Sequence, residues 1–193
     1  MLDTINLHGI TSNTPTNILF GAGAYFKNLK WESDKWTGDC LGATSGGGKV
    51  SIVGELKDIE LDGALVKVKG LTAKTGGKGT MDVNFAELTT DNLKMTTLFE
   101  EGTSEATGFT MLQDKVHITD GDYVENLAFV CETMGGKNII VIFKNALCTS
   151  GAEFEPKNKE NTVFKGTFEA CADTEGATDR LPIRIYYPDL ATV

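Results

Sequence analysis

Two segments of the chain alternate apolar and polar residues with a period of two. Residues 80–85 read TMDVNF, and in residues 163–171 Phe164, Phe168 and Ala170 alternate with Lys165, Thr167 and Glu169. Successive side chains of a β-strand point to opposite faces, so the pattern predicts strands with one buried face and one wet face. Such a sheet must cover its apolar face with another layer. We therefore predict a mainly β fold, a β-sandwich or partial barrel with one flanking α-helix.

Further segments extend this prediction along the chain. Strand patterns occupy residues 24–31, 50–61, 65–73, 115–119, 126–133, 138–146 and 182–187. Turn signals at Asp62-Gly63 and at residues 76–79 predict two hairpins. A helix is expected over residues 90–101, with Thr89 or Thr90 as its cap and Gly102 at its end. Its apolar face would consist of Leu88, Met95, Leu98 and Phe99.

The length of 193 residues suits one domain spanning residues 1–193. Residues 1–20 read as an irregular N-terminal arm, rich in turn-forming residues. Residues 32–49 are polar and rich in glycine, which predicts a long loop that is mobile in the monomer. The apolar run at residues 139–143 is far too short to span a bilayer, so no membrane association is expected.

The charge of the chain disfavours several classes of function. Lys and Arg total 18 against 27 Asp and Glu, for a net charge of −9, and the two arginines are Arg180 and Arg184. Affinity for nucleic-acid phosphates comes mainly from Lys and Arg, so specific nucleic-acid binding is not expected. The four cysteines form no C-x-x-C pair, and His117 has no second ligand at metal-binding spacing, which predicts no metal or other cofactor.

The stretch LGATSGGGKVSI, residues 41–52, comes close to a nucleotide-binding loop but fails its tests. A Walker A motif, G-x-x-x-x-G-K-[ST], needs a glycine where Ala43 stands and a hydroxyl where Val50 stands. A strand pattern follows the lysine, whereas the motif requires a helix. Since no nucleophile-elbow pattern occurs either, the sequence predicts that the protein is not an enzyme.

Several motifs, in order, resemble the tail tube (major tail) proteins of long-tailed bacteriophages and related prophages. They are NILFGAGAYF at residues 17–26, the glycine-rich residues 41–48, the turn at residues 58–64 with VKGL at residues 68–71, and the ending FKGTFEA with PIRIYYP at residues 164–170 and 182–188. The resemblance covers nearly the whole chain. It implies a single tail-tube-like domain.

The resemblance also implies a structural function. Six copies form a ring, each lending hairpins to a continuous inner β-barrel, and rings stack into a hollow virion tail tube assembled in the bacterial cytoplasm. DNA passes through the lumen without specific binding during ejection. Other expected partners are the tape measure, tail tip and terminator proteins. Candidate lumen residues are Glu55, Asp58, Glu60 and Asp82, and candidate inter-subunit residues are Trp36, Gly46, Gly47, Gly48 and Lys49.

An alternative function remains open. A β-sandwich with exposed aromatic residues could bind a carbohydrate or protein ligand as a tail decoration. The residues that motivate it are Trp31, Trp36, Tyr123, Tyr186 and Tyr187.

Overall fold

A computed structural model describes residues 9–156 and 158–188. Strands make up 50% of the structure and helices 8%, which confirms the mainly β prediction. The helices are α1 (Thr14–Asn17) and α2 (Thr90–Thr97). The strands are β1 (Leu19–Glu32), β2 (Lys35–Cys40), β3 (Thr44–Asp58), β4 (Thr72–Phe85), β5 (Glu100–Gly102), β6 (Met111–Gln113), β7 (Val124–Thr133), β8 (Asn138–Cys148), β9 (Glu153–Phe154), β10 (Phe164–Ala170) and β11 (Ile183–Tyr186).

One antiparallel sheet contains nine of these strands. Its order is β2-β1-β7-β8-β10-β4-β3, with β11 paired to β8 and β9 paired to β10; β5 and β6 form a separate hairpin. Strand β8 changes partners along its length: β11 pairs with residues 140–143 and β10 with residues 146–148. The sheet does not close into a barrel within the described residues. Strands β2 and β3 therefore lie at the two ends of the main strand order, and the shorter strands β9 and β11 are further edges.

The main core lies on one face of this sheet. Tyr25, Phe143, Phe164 and Phe168 are fully or almost fully buried there, together with Met81, Val83 and Phe85 of β4. The alternation predicted for residues 80–85 and for Phe164 and Phe168 is thus confirmed. A smaller core on the opposite face contains Leu29, Ala128, Ile140 and Ile142, and Trp36 packs against it.

The Tyr25 side chain connects β1 to β4 and β3, at the other end of the strand order. Its ring packs on Phe129 at 5.2 Å between centroids, and its hydroxyl donates a hydrogen bond to the backbone oxygen of Asp82 at 3.2 Å. A Cβ atom on Gly48 would overlap the tyrosine hydroxyl and lie 2.6 Å from the Asp82 oxygen. Only glycine leaves this space, so the glycine at position 48 lets the sheet curl until β1 lies over β3 and β4.

Residues 32–49 do not form the long loop predicted for them. Ser33 and Asp34, both at positive φ, turn β1 into β2, and Thr44 already begins β3. Between Thr44 and Gly48 the strand bulges, because three residues lie opposite the single residue Asn84 of β4. Gly46 and Gly47 take positive φ values in this bulge, and the Asn84 amide donates to the Gly47 oxygen at 2.9 Å. The prediction failed because glycines that serve a bulge resemble loop glycines in sequence.

The two hairpins predicted between residues 50 and 85 are one hairpin. Strands β3 and β4 pair along almost their full length, and Asp62-Gly63 lies in the loop that joins them. The predicted turn at residues 76–79 lies inside β4. A side chain at Gly79 would overlap Ile183, and one at Gly77 would come within 3.1 Å of Leu181. These glycines therefore permit close packing of the β11 region and do not break the strand.

The remaining predictions are partly correct. Thr89 caps α2 by accepting from Asn92 N at 3.1 Å, as expected, but the helix ends at Thr97. Its buried face carries Asn92 and Thr96, whereas Leu88 is exposed. No strand forms over residues 115–119. The first eight residues of the predicted arm lie outside the described residues, and its last two belong to β1.

The Gly48 contact predicts a specific energetic coupling. Gly48→Ala should lower the free energy of unfolding by about 1–3 kcal/mol, because the methyl group must displace the Tyr25 hydroxyl. Gly54→Ala is the matched control, since its nearest contact is 3.9 Å away and its cost should stay within about 0.5 kcal/mol. Tyr25→Phe should relieve part of the Gly48→Ala cost in a double-mutant cycle measured by denaturant unfolding. Strict additivity of the two changes would contradict this packing.

Tyr25 also predicts a dependence of stability on high pH. Burial, with a smaller contribution from Asp82, raises the pKa of Tyr25 from 10.0 to about 12. Between pH 10 and pH 12 the unfolded chain loses this proton while the folded chain keeps it. Stability should therefore be fully present below pH 10 and fall by up to about 1.4 kcal/mol per pH unit above it. Unfolding curves of Tyr25→Phe should lack this component; identical pH profiles would contradict the assignment.

Candidate functional site

The β3–β4 hairpin extends beyond the rest of the sheet. Strand β10 pairs with residues 80–85 of β4, and over residues 72–79 the strand partner of β4 in the described chain is β3 alone. We call residues 50–58 and 72–79 the ribbon. Leu181 and Ile183 contact one face of it near Gly77 and Gly79. Because two-stranded hairpins are marginally stable in water, the ribbon is a candidate for contact with another molecule.

Within the part of the chain that the structure describes, the outer edge of β3 is unpaired along the whole strand. Thr44–Asp58 is 15 residues long and pairs only with β4 among the described residues. Every second residue of such an edge presents its N–H and C=O groups outward, where they can pair with a strand of another chain. Most edge strands in globular proteins are short or interrupted. Because the edge of β3 is 15 residues long, it is a candidate site for the addition of a strand from another chain.

The loop at the end of the ribbon, residues 59–71, is closed at its base by hydrogen bonds. We call it the tip loop. Ile59 N donates to Leu71 O at 2.7 Å, and Leu71 N donates to Val68 O at 3.2 Å. Asp58 accepts from Thr72 Oγ1 at 2.6 Å and pairs with Lys67 at 2.9 Å. These two hydrogen bonds lower the pKa of the Asp58 carboxyl, with that from Thr72 the larger.

The tip loop presents its apolar residues to solvent. Leu65 is 98% exposed and Val66 is 77% exposed. Further exposed apolar residues of the tip loop and ribbon are Ile52, Val53, Leu56, Ile59, Leu61 and Val68. Exposed apolar residues concentrated in one part of a surface are typical of a protein–protein contact.

The predicted lumen residues lie in two places. Glu55 and Asp82 lie on the face of the β10-β4-β3 sheet that points away from the main core. Glu55 pairs with Gly76 of β4, and Gly76 and Asp82 are an even number of residues apart in that strand, so they share a face. We call this the polar face. Asp58 lies at the base of the tip loop, and Glu60 lies within it. The polar face carries three lysines, Lys49, Lys78 and Lys165, and four acidic residues, Glu55, Asp82, Glu153 and Glu169, so its charge is close to balanced.

The predicted inter-subunit residues are not clustered. Gly46, Gly47 and Gly48 form the β3 bulge, and Lys49 is exposed on the polar face beside it. Trp36 lies on β2, at the opposite edge of the sheet. Within the chain, Gly48 leaves room for the Tyr25 side chain. That these five residues contact another subunit stays a prediction.

Three of the five aromatic residues considered for ligand binding meet on the face of the sheet that carries the smaller core. The ring centroids of Trp31 and Trp36 are 5.3 Å apart, and those of Trp36 and Tyr186 are 4.8 Å apart, both edge to face. Tyr187 instead donates to Asn17 at 3.2 Å. Tyr123 lines a separate cleft of about 570 Å³ beside α2. We call Trp31, Trp36 and Tyr186 the aromatic cluster.

The tip loop is the functional candidate that the sequence patterns missed. Residues 59–71 were divided between two predicted strands, because isoleucine, leucine and valine alternate there with charged residues. Two features of the sequence indicate an exposed loop here. The Asp62-Gly63 pair interrupts the run, and the adjacent apolar residues Leu65 and Val66 break the alternation.

The described residues include no group of three or more His, Cys, Asp or Glu side chains that could hold a metal ion. Among them, no helix is both long and apolar enough to cross a membrane. Compared with known proteins, the chain matches no protein-family model and no curated protein.

Proposed function

We propose that this protein is the structural subunit of a bacteriophage tail tube, in which hexameric rings stack into a conduit for DNA ejection. The observation that carries the proposal is the ribbon with the unpaired edge of β3. A 15-residue edge and a two-stranded extension both need partner strands that the described chain does not supply. The resembling proteins obtain such strands by lending hairpins to a barrel shared between copies.

The directions of the strands support ring formation. Strands β3 and β4 are antiparallel, so β3 of one copy meets β4 of the next copy in antiparallel orientation. The part of β4 in the ribbon carries Lys74 and Lys78, whereas that of β3 carries Glu55, Lys57 and Asp58 and is acidic on balance. One contact repeated between identical copies closes into a ring when its rotation allows it. Opposite charges across the contact would favour this orientation.

The tip loop is the proposed contact between one ring and the next. Its exposed Leu65 and Val66 lie at the far end of the ribbon, where a neighbouring ring can cover them. Burial of such apolar side chains favours association. Tape measure, tail tip and terminator proteins would contact the ends of the resulting tube.

The polar face, with Glu55 and Asp82, is the proposed lumen surface. A charge close to balanced, with a small acidic excess, suits a channel for DNA, because phosphates are neither held nor repelled strongly. The proposed location is the virion tail, after assembly in the bacterial cytoplasm.

Negative-stain microscopy of concentrated protein and of virions tests this function. Rings of six copies, and tubes of stacked rings, are expected. A protein that stays monomeric at all concentrations and is absent from tails would refute the proposal.

The tip loop gives a quantitative prediction for assembly. The double substitution Leu65→Ser/Val66→Ser should leave the unfolding free energy of the monomer within about 0.5 kcal/mol, since both side chains are exposed. It should raise the concentration required for tube formation by about tenfold or more, because each buried apolar side chain contributes about 1.5–3 kcal/mol. Val116→Ser is the matched control, because Val116 is 89% exposed but lies outside the ribbon and tip loop. Sedimentation and microscopy measure the threshold; equal effects of both variants would contradict the assignment.

The aromatic cluster favours one second candidate function, a tail decoration module that binds carbohydrate. Glycan-array binding that is lost in Trp31→Ala and Trp36→Ala would support it. Phe109→Ala, which removes an exposed aromatic residue elsewhere, should then have no effect. Absence of glycan binding by the unmodified protein would exclude this candidate.

A further inference from the structure

The cleft of about 570 Å³ beside α2 is lined by residues of β1, α2 and the segment that leads into β7. We call it the α2 cleft. Its apolar lining consists of Leu41, Met95, Phe99, Tyr123 and Val124. Leu41 is buried and the other four are half-buried, so they keep part of their apolar surface open to the cleft. Concave sites of this size with apolar and aromatic walls are typical binding sites.

Three ion pairs within the chain surround the α2 cleft and involve each lysine of its lining. They are Lys27–Asp91, Lys94–Glu101 and Lys115–Asp122. The first joins β1 to α2, and the last joins the segment after β6 to the turn before β7. Contacts within the chain therefore hold the walls of the cleft. Since each of these lysines already has a carboxylate partner, the apolar lining selects the occupant.

The α2 cleft and the tip loop lie at opposite ends of β4. The tip loop ends where β4 begins, at Thr72, and α2 follows the other end of the strand, at Phe85. Strand β4 has 14 residues, and at about 3.3 Å per residue it is about 45 Å long. The tip loop is therefore too far from the cleft of its own chain to enter it, but it can enter the cleft of another copy.

The tip loop carries a protrusion that is complementary to the cleft. Leu65 and Val66 are adjacent in the chain and both are exposed, so their entry into an apolar cleft removes apolar surface from water on both sides. An apolar side chain that fills a pocket is a common centre of a protein interface. Residues 64–71 contain two lysines and no acidic residue, whereas the lining of the cleft contains four acidic residues and three lysines. This difference in charge favours the contact, although exposed ion pairs contribute little.

We infer that the α2 cleft receives the tip loop of a second copy of this chain, with Leu65 and Val66 against Met95 and Phe99. Each copy then uses its loop at one end and its cleft at the other, so the contact is head-to-tail and repeats along an axis. As a contact between stacked rings, the inference rests on the proposed function. As a contact between two copies, it stands on the loop and the cleft alone.

Cross-linking of the full chain tests which surfaces meet. In a Cys40→Ser background, which removes the exposed cysteine, Leu65→Cys/Glu100→Cys places one thiol on the tip loop and one on the rim of the cleft. A short thiol-reactive cross-linker should give a ladder of dimers, trimers and larger species, because every copy has both halves of the contact. Leu65→Cys/Met134→Cys is the matched control, since Met134 is exposed but lies outside the cleft. Equal ladders from both variants, or dimers alone from the first, would overturn the inference.

Assembly thresholds test whether the loop and the cleft act as one contact. Phe99→Ala should raise the concentration required for tube formation about tenfold or more. Phe20→Ala removes an exposed ring outside the cleft and should change it by less than about twofold. Combined with Leu65→Ser/Val66→Ser, Phe99→Ala should add little further, because all three changes remove the same contact. Effects that multiply would overturn the inference, and denaturant unfolding of Phe99→Ala shows whether the variant is folded.

The outcomes also separate this inference from the proposed function. Hexameric rings without a specific ladder would overturn the contact at the α2 cleft and leave the tail tube proposal intact. A specific ladder in a protein that never forms rings of six would support the contact and refute the tail tube proposal.

Discussion

The contact between Tyr25 and the backbone at Gly48 determines how the sheet is arranged. It brings β1, near one edge of the sheet, over β3 and β4 at the other edge, and the main core fills the space enclosed. The tyrosine hydroxyl also donates to the Asp82 oxygen, so burial of this polar group is compensated by a hydrogen bond. Position 48 can accept only glycine without displacing this contact.

The curl of the sheet leaves part of it without partners. Strand β10 and the residues near β11 cover one end of β4, while the ribbon continues beyond them. The single chain thus combines a well-packed core with an extension whose strand edges and apolar residues stay exposed. Monomeric proteins usually protect such edges. In the proposed tail tube, the protection would come from neighbouring copies.

The sequence predicted those parts of the fold in which local pattern and tertiary burial agree. Strand β10 and the end of β4 follow from alternation, and the start of α2 follows from the Thr89 cap. Strand β2 was missed because Lys35–Cys40 is polar and contains a glycine; it forms because β1 lies beside it. The glycines of β4 were misread as a turn, since their packing partners, Leu181 and Ile183, are about a hundred residues away in sequence.

The candidate site was less predictable, because exposure depends on contacts far apart along the chain. Alternation puts Glu55 and Asp82 on the face away from the apolar residues of their strands, but it does not show that Lys165 of β10 lies on the same face beside them. Hydrogen exchange of β3 tests the central claim most directly, by comparing the monomer with protein at high concentration. Amides directed away from β4 should exchange rapidly in the monomer and become protected at high concentration, as partner strands cover the edge. Equal, rapid exchange of these amides in both samples would contradict the claim that β3 is an assembly edge.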